Sequence, residues 1–253
     1  MKTRTIHGLT VLSLAVAGMV TAQAQSTNHY SFTFPVTNTI PDGNSSGFAD
    51  SRNLTGVAGT IADLNVTLNL NGGFNGDMYA YLEHDGGFAV LLNRVGVSST
   101  NQFGYPGDGM SITLDDQAAN NVHWYETFSF SLNSSGQLLG AWQPDGRNVD
   151  PDLVNETDAP TATLSGFNGQ SADGTWTLFV ADMSSGGTSV LSSWGLDVAS
   201  IPEPATIPLL VLCNAALVLF RHRRPVGPVP SKPFPSKEKT EQPHAPTGGL
   251  PWA

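Results

Sequence analysis

What the chain lacks narrows it quickly. It has a single cysteine, Cys213, in 253 residues, so no disulfide can form within it and its stability must come from buried area. All four lysines (Lys2, Lys232, Lys237 and Lys239) lie near the two ends, and from Gln25 to Ser200 three arginines stand against eighteen Asp and Glu. Such a surface has no clustered cations to neutralise phosphates, which excludes nucleic acid as a partner. No segment from 28 to 199 carries a capped apolar period of 3.6 residues, so helices are not expected there. That stretch also has only three histidines (His29, His84 and His123), no G-x-S-x-G elbow and no H-E-x-x-H helix.

What is present is strand and turn. In "IADLNVTLNL" the residues Leu64, Val66, Leu68 and Leu70 alternate with polar ones, the period of two that a half-buried strand requires. The same alternation runs through "TFSFSL" (Phe128, Phe130, Leu132), "TWTLFV" (Trp176, Leu178, Val180) and "WGLDV" (Trp194, Leu196, Val198). Asp85-Gly86-Gly87 reads as a hairpin turn, while Asn71-Gly72-Gly73 and Gly186-Gly187 end two further strands. The fold class that follows is all-β: an antiparallel two-sheet β-sandwich, jelly-roll-like, with a C-terminal hydrophobic helix beyond it.

Both ends read as addresses. Residues 1–24 pair Lys2 and Arg4 with the apolar run "LTVLSLAVAGMV" and close on Ala22-Gln23-Ala24, the small-x-small pattern in which Ala22 and Ala24 flank a signal-peptide cleavage point. Residues 200–224 place Pro202, Glu203 and Pro204 before a 14-residue apolar run, 207–220, and then Arg221, His222, Arg223 and Arg224. As a helix that run spans roughly 21 Å, short of a bilayer's roughly 30 Å unless its flanks extend it, and the arginines would hold its C-terminal side in the cytoplasm. The arrangement closely resembles the PEP-CTERM sorting signal of bacterial exported proteins. The resemblance implies an exosortase as partner, cutting near Pro202-Glu203-Pro204 while Arg221, Arg223 and Arg224 stall the chain in the membrane. A Pro- and Lys-rich tail, 225–253, is too poor in apolar residues to fold and is expected to be disordered. The expected location is the bacterial cell envelope, membrane-anchored or released after processing.

Three segments of the middle, "IPDGNSSG", "NGDMYAYLEHDGGFAVLLN" and "LSGFNGQSADGTWTLFVADMSSGGTSVLSSWGLDV", resemble in order and spacing the P domain (P/Homo B) of kexin- and furin-like proprotein convertases. The matching positions are Ile40-Pro41-Asp42, Gly76-Asp77-Met78, Gly174, Trp176, Leu178, Asp182, Gly186-Gly187 and Trp194, and the resemblance covers 28–199. It implies a β-sandwich that packs on a subtilisin-like protease and supports its folding and calcium response. The catalytic Asp, His and Ser of that family belong to its other domain, so a serine-type endopeptidase label would reach this chain by association only. The expectation is a non-catalytic exported module; the alternative is an accessory to a separately encoded subtilisin-like enzyme.

The remaining chemistry is oxygen. Asp42-Gly43-Asn44-Ser45-Ser46-Gly47 resembles half of a calcium loop, though Asn53 stands where an EF-hand needs a bidentate Glu. Asp145, Asn148, Asp150, Asp152, Glu156 and Asp158 crowd a second loop, and Asp115-Asp116 a third. Asp42, Asn44, Asp145, Asp150 and Asp152 are therefore the residues expected to hold Ca²⁺, against the blander reading of solvated loops. Trp124, Tyr125 and Trp142 offer either core anchors or stacking faces for an extracellular polysaccharide, with anchoring favoured.

Overall fold

The computed structural model describes residues 26–202; the stretch read as a signal peptide (1–24), Glu203 and Pro204, the apolar run with its arginines, and residues 225–253 lie outside them. Ten strands build two sheets: β1 (Asn28–Ile40), β2 (Asn44–Leu54), β3 (Thr60–Asn71), β4 (Met78–His84), β5 (Gly87–Asn93), β6 (Gly109–Leu114), β7 (Ser131–Leu132), β8 (Leu138–Trp142), β9 (Gly174–Asp182) and β10 (Ser189–Ile201). One sheet has the order β1-β10-β3-β6-β8-β7 and the other β2-β9-β4-β5. The two-sheet sandwich stands. It is antiparallel in every pairing but one, because β8 runs parallel to β6.

Alternation decides which faces meet. Leu64, Val66, Leu68 and Leu70 of β3 are buried, as are Leu191, Trp194, Leu196 and Val198 of β10. From the other sheet Ala80 and Leu82 of β4 and Trp176, Leu178 and Val180 of β9 join the same cluster. Trp176 and Trp194 are its two largest fully buried side chains, and burying each large apolar side chain contributes on the order of 1.5–3 kcal/mol. The turn at Asp85-Gly86 joins β4 to β5 with both residues at positive φ (46° and 80°), the backbone of a two-residue hairpin loop.

β5 shows how the second sheet protects its edge. Val90, Leu91 and Leu92 are all buried, not alternately. The chain after β8 lies along this strand: Val90 N–H donates to Ala162 O, Asp145 N–H to Leu91 O and Gly146 N–H to Val90 O. Backbone groups that would otherwise face water are thus paired, which removes a template for aggregation.

"TFSFSL" does not form the expected half-buried strand. The segment leaves a 3-10 turn at Val122–Thr127 and reaches only a two-residue edge strand, with Phe128, Phe130 and Leu132 at 41%, 41% and 51% exposure. The place beside β6 is taken by β8, whose Leu138 and Trp142 fill the core there, and "TFSFSL" is left at the edge, where Phe130 meets the Tyr125 ring edge-on at 5.5 Å. Alternation marks a strand only where a second layer exists to receive it.

Candidate functional site

One end of the sandwich gathers loops that are far apart in the chain. Asp182, the last residue of β9, pairs across to Asn44 of β2 on one side and Met78 of β4 on the other. The turn before β2 is fastened to the turn after β9, since Gly186 N–H donates to Asp42 Oδ1 at 2.8 Å. The 3-10 turn Asn75–Asp77 is fastened to the same place, with Met183 N–H donating to Asp77 O at 2.8 Å. A fourth loop closes over it: Gly76 N–H donates to Tyr105 O at 2.8 Å. There is no room for side chains at that crossing, because a Cβ on Gly76 would stand 2.3 Å from Phe103 O and one on Gly104 would stand 2.7 Å from Gly76 Cα.

Carboxylates converge here at a cost. Asp182 is fully buried and Asp77 is 5% exposed. Burial pushes the Asp182 carboxyl up to about 6, with repulsion from Asp77 and Asp42 adding to it and hydrogen bonds from Ser184 N–H and Ser189 Oγ (3.2 Å) opposing it. Burial also raises Asp77 above the usual carboxylate range; the Ser184 side chain and Arg94 lower it, and Asp42 raises it. Arg94 sits at φ 48°, an uncommon backbone for a non-glycine residue, and spans the site by donating from Nε to Gly76 O and from Nη2 to Ser184 Oγ. Between these loops opens a cleft of about 450 Å³ lined by Phe74, Asp77, Phe103–Pro106, Ser184 and Ser185.

The residues expected to hold calcium occupy separate settings. Asp42 is committed to Gly186. Asn44 Oδ1 accepts from Ser46 N–H, an ordinary Asx turn. Asp145 is fully buried between His123 Nδ1 (2.7 Å) and Arg147 Nη1 (3.2 Å), and Asn93 N–H reaches it too. Asp150 accepts from Asp152 N–H within an exposed turn. Among the described residues no set of three or more His, Cys, Asp or Glu side chains is gathered closely enough to hold a metal ion.

The histidines are placed by packing. His123 lies at zero exposure between Asp145 and Val97 O, 3.0 Å from its Nε2. His84 stacks flat on Trp176, ring centroids 4.0 Å apart, with its two nitrogens 3.0 and 2.7 Å from the carbonyl oxygens of Thr175 and Ser171. His29 is exposed on β1. Neither buried ring has a nitrogen left for a serine hydroxyl, so neither serves as a general base in this arrangement. Tyr125 and Trp142 are core residues, 2% and 5% exposed, and Trp124 carries Arg147 over its ring at 5.6 Å. All three anchor the insertion between β6 and β9, as favoured from the sequence.

Sequence reasoning noted Asp77 and Asp182 only as motif positions and passed over Phe103 and Tyr105. The signal for the latter was "NQFGYPGDG", aromatic residues spaced by Gly and Pro in a loop, where no strand or helix face explains them.

No family model matches the chain, and no curated protein matches it. Among solved structures it is similar to a serine protease of Aeromonas sobria, seen alone (16% identity, TM-score 0.39) and in complex with its chaperone ORF2 (17% identity, TM-score 0.39). In both, the alignment covers 70% of this chain and only 27–28% of the other. A likeness of that TM-score is too loose to carry an argument about function.

Proposed function

We propose that the described sandwich is a non-catalytic binding or structural module of the P/Homo B type, exported and displayed at a bacterial envelope. The observation that carries this reading is the convergence at one end of the sandwich. Asp42, Gly76-Asp77, Asp182 and Gly186, the positions through which the sequence resembles P domains, are joined there by hydrogen bonds and strand pairing. They serve as a structural knot, in which Asp182 accepts from Ser189 Oγ at 3.2 Å and Asp77 is hydrogen-bonded to the Ser184 side chain. The engagement of both nitrogens of His84 and His123 supports the same reading.

Sorting completes the proposal: Ala22-Gln23-Ala24 for export, then exosortase processing at Pro202-Glu203-Pro204 with the arginines at 221, 223 and 224 as the stop. Replacing Pro202-Glu203-Pro204 by alanines in the native host tests it. Mass spectrometry should find the envelope form unprocessed; an unchanged mature mass would remove the exosortase from the account.

A second reading, that the module serves a separately encoded subtilisin-like protease, draws on the exposed apolar side chains Phe128, Phe130, Leu132 and Leu153. Apolar groups left in water favour contact with another protein. Pulldown from the native envelope separates the two: a co-purifying protease supports the second, and polysaccharide without a specific protein supports the first.

A further inference from the structure

We infer that the cleft between Phe74, Phe103 and Asp77 is a receptor for one basic side chain, lysine or arginine, presented by a protein partner. The inference rests on the reading of the domain as a binding module and names where and what it binds.

Three features of the cleft lead there. Its walls are aromatic and open: Phe74 is 46% and Phe103 79% exposed, and Tyr105 and Pro106 continue the apolar surface. Large apolar side chains this exposed, arranged around a concavity, are characteristic of a site awaiting a guest, and aromatic faces attract a cation through their quadrupoles. Its floor is negative. Asp77 lies there at 5% exposure with Asp42 and Asp182 close enough to raise its neighbours' proton affinity, and among the described residues the one cation acting on Asp77 is Arg94. One guanidinium, Arg94, acts on Asp77 and none among the described residues is found acting on Asp182, so the group of three carboxyls remains short of positive charge. A guest ammonium or guanidinium supplies it, whereas an anion is repelled.

The cleft is also built in advance. Gly76 N–H to Tyr105 O and Asn75 N–H to Pro106 O tie its two walls together, and the Gly76 and Gly104 backbones touch where any side chain would wedge them apart. Binding therefore orders little that is not already ordered. At about 450 Å³ the space suits an extended side chain with its flanking backbone, not a folded element. Two other occupants fit the concavity less well. A metal ion would need several carboxylates facing the cleft, and of the three only Asp77 lines it. A neutral hexose would use the aromatic wall but leave the buried carboxyl charge uncompensated.

Isothermal titration of the full chain with acetyl-Ala-Arg-Ala-amide, against the same peptide carrying citrulline, tests the inference. Citrulline keeps the shape of arginine and removes its charge. The arginine peptide should bind at one site about tenfold more tightly than the citrulline peptide. Phe103→Ala, at a side chain that supports no core, should weaken it about fivefold with the melting temperature unchanged. Asp77→Asn should erase the preference for arginine; if that variant fails to fold, the Phe103→Ala comparison still decides. Equal affinity for the two peptides, no binding up to about 10 mM, indifference to Phe103→Ala, or displacement by methyl glucoside would each overturn the inference. The recovered peptide is weighed by mass spectrometry: an intact peptide keeps the non-catalytic reading, and a cleaved one ends that reading while the citrulline comparison still judges the cleft.

Discussion

Replacing Asp182 by asparagine should stabilise the protein at neutral pH and leave it no more stable than the parent in acid. The carboxyl is fully buried and its folded value is raised to about 6 from an ordinary 3.8, first by burial and then by repulsion from Asp77 and Asp42. A raised folded value means that the folded state binds the proton more tightly than the unfolded chain does. The group's contribution to stability is then fully present below pH 3.8 and is lost as pH rises through about 6. Above that, keeping the carboxylate ionised in place costs about 3 kcal/mol relative to the unfolded chain. Asparagine carries no charge to desolvate, still accepts from Ser184 N–H and can donate to Ser189 Oγ, at a loss of about 1 kcal/mol for exchanging a charged acceptor for a neutral one. The net gain at pH 7.5 is about 1–2 kcal/mol, or roughly 2–8 °C in melting temperature for a domain of this size. Thermal melts of both proteins from pH 4 to 8 measure it. The difference between them should open between pH 4 and 6.5 and then stay level. A difference that does not change with pH, or a variant less stable at pH 7.5, would refute the reasoning.

Other outcomes follow from the same structure. His123→Ala leaves the buried Asp145 with Arg147 as its remaining side-chain partner, and urea unfolding should show a loss of about 3–5 kcal/mol; a loss under about 1 kcal/mol would mean that the cluster is not holding the insertion. Phe128→Ser, at an exposed position, should change stability by no more than about 0.5 kcal/mol, whereas a residue packed on a strand face would cost several times that. Millimolar calcium added to the EDTA-treated chain tests the calcium reading of the 42–44 and 145–152 loops: a rise of several degrees in melting temperature supports it, and an unchanged value removes it.

Much of the sandwich was legible because its strands report their own burial. β3, β9 and β10 alternate, are bounded by Gly, Asn and Asp, and lie where the alternation places them. The parallel placement of β8 was not legible, because a period of two says which face is buried and nothing about the neighbour's direction. "TFSFSL" misled for the converse reason: its pattern is that of a strand, yet at that edge its apolar side chains stay half exposed, Phe130 reaching the core through an edge-on contact with Tyr125. The candidate site was legible only as separate motifs. Asp42, Asp77 and Asp182 are more than a hundred residues apart at the extremes, and their meeting depends on strand order, which local sequence does not encode. Asp145 stands among the expected calcium ligands because carboxylates crowd its stretch of chain; burial with His123 and Arg147 is a tertiary pairing that composition cannot reveal.

The central claim is that this sandwich folds around a packed core and hosts no reaction centre. Incubating the purified full chain with a library of internally quenched peptides, and following fluorescence over a day, tests it most directly. The expected trace is that of buffer alone. Cleavage that disappears when one of the chain's own serines or His29 is replaced would contradict the claim.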